Sequence, residues 1–596
     1  MPNKLSQFWQ ELSRRNVIRV ITVYAASAFV VLELVDIITE PFGLPGWTLK
    51  LVVVILAVGL VLAVILSWIY DLQPEGGFVK TEPAKELENG DIPKTSNGWK
   101  IASYFSFVVI VGLVILNVIP RSKDATITKM LDKSIAVLPF ENLSEESGNE
   151  FFVDGLVEDL LNRISVIEEL KVISRTTSEK YREKGDKTVP QIADELNVAY
   201  ILEGSVQRYG QKARVNVQLI DARNDDHIWA DRYDRNIQDV FETQSEIAMK
   251  IASELDAILT SEQKALVHKE NTRNIRAFEL YQMGRFYWNK RTGEGYAKSI
   301  DYFTQAIEAD PGYGLAYAGL SDTYILMGIQ GYMDRMEGRN KSEELAFKAL
   351  ELDGNLGEAY TVLGQIYDYV DWEWDKAENA FHHALPLNPN YSTAHKYYAE
   401  HLSITGDHEA ARIHMNRAVE LDPLSFVVRY TSAQFYYHQG YFEKALNELD
   451  VCDELEEDHP WMPRYRFFCY WQLGKENEAF KALRNWLKLN PGYNLETAEE
   501  IYSHSGLTAV MEWIVDTKSM MSDEEVANAD KVVGYAAINK TTLLTMLGRY
   551  DEALTRLERG FQSHHISPWI SFNIHYTNLQ DNPRFQAILK GMGLGK

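Results

Sequence analysis

Pro389 and Pro423 stand 34 residues apart, and the residues ahead of each keep the same spacing. Ala377, Phe381 and Ala384 precede Pro389; Ala411, Met415 and Ala418 precede Pro423; Ser299, Phe303 and Ala306 stand in the same relation to Pro311. A period of this length means stacked helical hairpins, each too small to bury its apolar face alone. Small residues recur where two helices must approach closely. Gly406-Asp407, Gly440-Tyr441, Gly474-Lys475 and Gly548-Arg549 mark turns.

These blocks resemble the tetratricopeptide-repeat family closely. Units are expected near 277–313, 314–356, 357–391, 392–425, 426–459, 460–493 and 530–563, with insertions at 292–295 and around 331–339. A degenerate repeat is expected in 494–529, and a terminal cap in 568–594, where Asp581 to Phe585 open the last helix. The resemblance implies an all-α superhelix over 271–596 whose concave groove is lined by the first helix of each pair. Its groove positions fall on Tyr281, Arg285 and Trp288 in the first unit and on Gln365, Asp368 and Tyr369 in the third. The fourth offers Lys396 and Glu400, the fifth Tyr430, Gln434, Tyr437 and His438, the sixth Trp461, Arg464 and Trp471. Tyr, Trp and Arg dominate protein-binding hot spots, so these are the expected partner-binding residues; the alternative is that the aromatics pack between hairpins.

The other end of the chain is apolar. Stretches at 17–38, 51–70 and 101–119 each approach the roughly 20 residues that a helix needs to cross a bilayer. Three membrane helices are therefore expected within 1–120, with 71–98 as a polar cytoplasmic linker. Lys4, Arg14, Arg15 and Arg19 flank the first span and Lys80, Lys85, Lys94 and Lys100 fall between the second and third, while the loop 39–50 carries only Lys50. The positive-inside rule puts the N-terminus in the cytoplasm of a bacterial cell and everything after about 120 in the periplasm; Arg121 and Lys123 pull the other way. Glu33 and Asp36 share one face of the first span, either as functional charges or as side chains reaching the interface.

Between the two regions, 130–260 reads as a small α/β domain of order β-α-β-α-β-β-β-α, with strands near 134–140, 170–174, 199–208, 214–221 and 227–233 and helices on one side of the sheet. Its blocks SIAVLPFENLS at 134–144, FVDGL at 152–156, VAYILEGSV at 198–206 and QLIDA at 218–222, with Trp229, resemble the TolB-N-terminal-like (FlgO-like) domain. That resemblance implies a non-enzymatic envelope module. Members of the group carry a cyclase, kinase or winged-helix domain before the first span; sixteen residues precede it here, so those activities are not expected. Asp154, Glu158, Asp159 and His227 read as solvated surface, Trp229 and Tyr233 as core.

The net charge of -25 argues against a general nucleic-acid binder. No nucleotide-binding loop, nucleophile elbow, zinc-protease or kinase signature occurs in the sequence, and the adjacent pairs His382-His383 and His564-His565 make poor chelators. Cys452 and Cys469, the two cysteines, fall on neighbouring helices, either as buried thiols or as a periplasmic disulfide. The expected function is an inner-membrane-tethered periplasmic scaffold that binds proteins or peptides without enzyme activity or cofactor. An envelope sensor is the alternative, supported by Glu33, Asp36 and the charged linker; an enzyme with a site assembled from distant residues is a weaker one.

Overall fold

A computed structural model describes residues 133–595 apart from 145–148, 184, 186, 491 and 518–537, together with scattered residues between 20 and 80. The chain divides into two compact units, Met1–Asp124 and Ala125–Lys596. In the first, the described residues between 20 and 35 and between 52 and 60 are helical, and the Tyr24 hydroxyl donates to Leu56 O at 2.9 Å. Among the described residues no helix is long and apolar enough to cross a membrane. The expected span at 101–119, and most of those at 17–38 and 51–70, lie outside those residues. The second expected span and the linker meet in a feature not foreseen, an antiparallel pair of strands β1 (Tyr70–Leu72) and β2 (Phe78–Lys80). Tyr70, Phe78 and Val79 favour extended backbone, and Pro74, Gly76 and Gly77 lie between the strands.

The second unit opens with a mixed six-stranded sheet: β3 (Ser134–Val137), β4 (Glu141–Asn142), β5 (Lys171–Val172), β6 (Tyr200–Tyr209), β7 (Lys212–Asp221) and β8 (Asp226–Asn236). β3 runs parallel to β5 and β6, whereas β6, β7 and β8 form an antiparallel meander. Gly210, at φ +62, makes the tight turn from β6 to β7. Successive side chains of β3 point to opposite faces. Ile135 and Val137 join helices α1 (Glu150–Ser165) and α4 (Val240–Glu254) in one core. Ala136 and Leu138 join α3 (Val189–Leu196) in another, and α2 (Arg175–Glu179) lies between α1 and α3 in sequence. Helices therefore cover both faces of the sheet, where one was expected: both faces of β3 are apolar, and each needs a cover. Tyr233 is buried and Trp229 packs beside it on the first core.

After α5 (Ser261–Val267) the chain runs as helical hairpins. The pairs are α6 (Ile275–Trp288) with α7 (Gly293–Ala309), α8 (Gly314–Gln330) with α9 (Arg335–Leu352), α10 (Gly357–Ile366) with α11 (Trp374–Leu387), and α12 (Ser392–Thr405) with α13 (His408–Leu421). They continue as α14 (Phe426–His438) with α15 (Phe442–Leu455) and α16 (Met462–Gln472) with α17 (Glu476–Lys488). They form a helical repeat superhelix, as the resemblance to tetratricopeptide repeats implied. Phe303 shows what the small residues do: a Cβ on either Gly284 or Gly319 would stand 2.6 Å from its ring. The third unit departs from the pattern. Tyr367–Asp371 form a wide π turn ended by Trp372 at φ +56. The degenerate stretch begins as α18 (Leu495–Asp516), two helices joined at Gly506, which adopts φ +78. Then come α19 (Lys540–Met546), α20 (Tyr550–Gln562), two 3-10 turns at Pro568–Ser571 and Ile574–Leu579, and α21 (Pro583–Gly591). Cys452 and Cys469 are free, buried thiols, and burial pushes both up to about 12.

Candidate partner-binding face

The first helices α6, α8, α10, α12, α14 and α16 carry every residue projected onto the groove except Asp368 and Tyr369, in the π turn, and Trp461, the residue that caps α16. An open groove would leave these side chains in water. Instead Tyr281, Trp288, Gln365, Asp368, Tyr369, Lys396, Glu400, Tyr430, Gln434, Tyr437 and His438 are buried, and Arg285, Trp461, Arg464 and Trp471 are half-buried. Tyr281 packs on Phe303 and Tyr313, and Tyr430 on Trp461 and Tyr465, between hairpins, the alternative that the sequence left open; two covers lie over others.

The first cover is the chain's own C-terminal segment. The Trp569 indole donates to the Tyr369 hydroxyl at 3.3 Å, and the Ser571 hydroxyl donates to Ile404 O at 3.0 Å. His575 Nε2 lies 2.9 Å from the Tyr437 hydroxyl, with its ring against Phe468. His438 packs on the rings of Trp569 and Phe572. Further along, the Trp374 indole donates to Met592 O at 2.8 Å, and Trp372 stacks on Phe561 and His564. The cap thus spans the third to the sixth repeat. The Trp, Tyr and His side chains among these offer an apolar face and a polar tip, which is why the same residue types suit a partner or an intramolecular plug.

The second cover is the α/β domain, which docks on the turns between repeats. Asn390 accepts from Val172 N at 3.2 Å and donates to Ser165 O at 3.0 Å. Asp422 accepts from the hydroxyls of Ser174 at 2.5 Å and Thr177 at 2.7 Å, while Thr177 Oγ1 accepts from Leu424 N. Glu158, expected in solvent, pairs with Arg175 at 3.2 Å, and Asp154 pairs with Arg182 at 2.6 Å. Asp159 is buried against Arg163 at 2.6 Å. Sequence reasoning missed Asn390 and Asp422. Their signal was the asparagine or aspartate beside each repeat-ending proline, Asn388 to Asn390 and Asp422-Pro423, which reads as turn chemistry alone.

Burial sets the charge states. It raises the Asp368 and Asp422 carboxyls to about 6, although His401 and Ser174 hydrogen-bond them. It lowers His575 to about 3 and His438 well below its ordinary value, so both imidazoles are neutral near pH 7. Lys396 keeps a partner, Glu400, at 3.2 Å, and Glu400 also bonds the Tyr369 hydroxyl. The paired histidines serve packing: His383 stacks on Tyr360 and His382 meets the Tyr398 hydroxyl at 2.8 Å.

Residues 131–250 match the second domain of HilA/YgeH-like transcriptional regulators, where the sequence blocks had suggested a TolB-N-terminal-like module. Over 252 residues, 41% of this chain, the sequence is 29% identical to "Putative adenylate cyclase 3" of Rhizobium meliloti. Over 330 residues, 55% of this chain, it is 24% identical to "Transcriptional regulator HilA" of Salmonella typhimurium. The chain spans 42% and 57% of the length of these two relatives. Similar solved structures include PilW, a type IV pilus biogenesis factor (16% identity, 37% of this chain and 98% of that one, TM-score 0.29). Another is a thermophilic TPR protein of Thermus thermophilus, TTC0263 (16% identity, 32% and 96%, TM-score 0.27).

Proposed function

We propose that this chain is a non-catalytic recognition protein, in which the α/β domain and the repeats form one binding body for other proteins or peptides. The observation that carries the reading is the concave face itself. Tyr369, Tyr437, His438 and Phe468 already hold an aromatic-rich segment, residues 569–575, by hydrogen bonds and ring contacts. A surface that binds such a segment in cis has the chemistry to bind one in trans. The apolar stretches at 17–38, 51–70 and 101–119 support tethering of this body to a bacterial inner membrane, with residues after about 120 in the periplasm.

The test is competition. A synthetic peptide of residues 564–580 is added to a chain in which Trp569→Ala and His575→Ala loosen the covering segment. Saturable binding to the variant, and weaker binding to the wild type, is the expected result. No binding to either removes the concave face as a recognition surface.

One finding favours a sensor as the second reading. Proteins named as a transcriptional regulator and a putative adenylate cyclase share parts of this sequence and extend beyond the match. A common recognition body joined to different outputs is the arrangement a sensor would have, and here the output would cross the membrane.

A further inference from the structure

Where the two covers of the concave face do not meet, a cavity of about 210 Å3 remains between the α/β domain and the repeats. Asn162 and Ser165 of α1 line it on one side, and Arg285, Trp288, Arg291 and Lys396 on the other. The guanidinium carbons of Arg285 and Arg291 lie 4.1 Å and 3.6 Å from the centroid of the Trp288 ring. Phe426, His459 and Trp461 also line the cavity and pack on one another, with centroids 3.9 Å apart for Phe426 and His459.

Five cations, Arg175, Arg285, Lys290, Arg291 and Lys396, line the cavity against three carboxylates, Glu158, Asp422 and Glu456. Trp288 is 3% exposed and its indole N–H has no hydrogen-bond partner. The carboxylate nearest Arg285 is Asp322, at 4.0 Å, too far for a hydrogen bond. Arg291 meets the Tyr296 hydroxyl and makes no ion pair among the described residues. Lys396 pairs with Glu400 and Arg175 with Glu158, each at 3.2 Å. Asp322 acts on both guanidiniums without hydrogen-bonding either, which leaves donors for an anionic ligand.

We infer that this cavity binds a small organic oxyanion, a carboxylate or phosphate on a flat apolar body, held by Arg285, Arg291 and the Trp288 indole N–H. Size sets the class. A cavity of roughly 150 Å3 takes a benzene ring, so this one has room for a ring and its anionic group and none for a length of peptide. Planar guanidinium groups suit both oxyanions, and the aromatic lining suits the body. The site is independent of the partner-binding reading, because a small acid reaches it whether or not the C-terminal segment leaves the concave face. Its walls come from both domains, so the bound acid bridges them.

Calorimetry on the full chain with benzoate, phenyl phosphate and benzamide tests the inference. One of the two anions binds and raises the unfolding temperature, and whichever binds more tightly separates carboxylate from phosphate. Benzamide, the same body without the charge, binds at least about tenfold more weakly. Arg291→Gln weakens the anion by about tenfold or more. Trp288→Phe, which keeps a ring and loses the N–H, gives a smaller loss. Absence of binding by both anions at millimolar concentration overturns the inference. So does benzamide binding as tightly as benzoate, or a folded Arg291→Gln variant that binds like the wild type.

Discussion

The Tyr437 hydroxyl and His575 Nε2 lie 2.9 Å apart across 138 residues of chain, both buried. This contact fastens the C-terminal segment to the fifth repeat, and it makes Tyr437 a structural residue in the resting protein. Tyr437→Ala removes a fully buried ring packed on Phe468 and Tyr465 and should lower stability by about 3–5 kcal/mol. Trp471→Ala, at a half-buried position, should cost clearly less. Denaturant unfolding of the two variants measures the difference, and equal losses would contradict the placement of Tyr437.

Acid should loosen the repeats. Burial lowers His395 and His459 to about 4 and His575 to about 3. The unfolded chain, with ordinary histidines, therefore binds more protons than the folded one between those values and about 6.5. Stability is present above that window and is lost as pH falls through it. Asp368 and Asp422, raised to about 6, act in the opposite sense, since the folded state holds their protons more tightly from about 6 down to the ordinary carboxyl range. Five histidines are lowered by burial, His395, His414, His438, His459 and His575, and five carboxyls are raised by it, Asp159, Asp322, Glu358, Asp368 and Asp422. The histidines act first as pH falls from about 6.5, so thermal unfolding should move to lower temperature there. His575→Phe should flatten that slope.

Docking of the α/β domain depends on Asp422. Asp422→Ala leaves the hydroxyls of Ser174 and Thr177 without their acceptor and should cost about 1–3 kcal/mol. Hydrogen exchange would show the loss as faster exchange at Ser174 N and Leu424 N, which bond across this seam. Unchanged protection there would mean that apolar packing of Leu424 holds the domain.

Topology is open to a direct test. A reporter active only outside the cytoplasm should work when fused after Leu131 or at the C-terminus and be silent near Asn89. The reverse pattern would overturn the three-span arrangement.

Much of the repeat architecture was legible because it is written locally. Small residues recur at the same spacing before Pro311, Pro389 and Pro423, and the glycines expected at the turns, Gly406, Gly440, Gly474 and Gly548, all adopt positive φ. The strands of the α/β domain were legible for the same reason, from short apolar runs. What the sequence hid is long-range. Nothing local in Trp569, Ser571 or His575 tells that they lie on Tyr369, Ile404 and Tyr437, and the aromatics of the first helices suit a partner as well as a plug. Asn390 and Asp422 were hidden differently, since turn chemistry explains them fully until the second domain is in place.

A groove filled by its own chain is a competition before any partner arrives. A tethered segment meets its site at an effective concentration on the order of millimolar, fixed by the length of its connection. The apparent dissociation constant of any groove ligand is its intrinsic value divided by the fraction of molecules whose groove is open. If the segment is bound in roughly 99 molecules of every hundred, a partner loses about two orders of magnitude in affinity. Weak encounters are then rejected, and changes in residues 564–596 would set the binding threshold of the protein without touching the surface that does the binding.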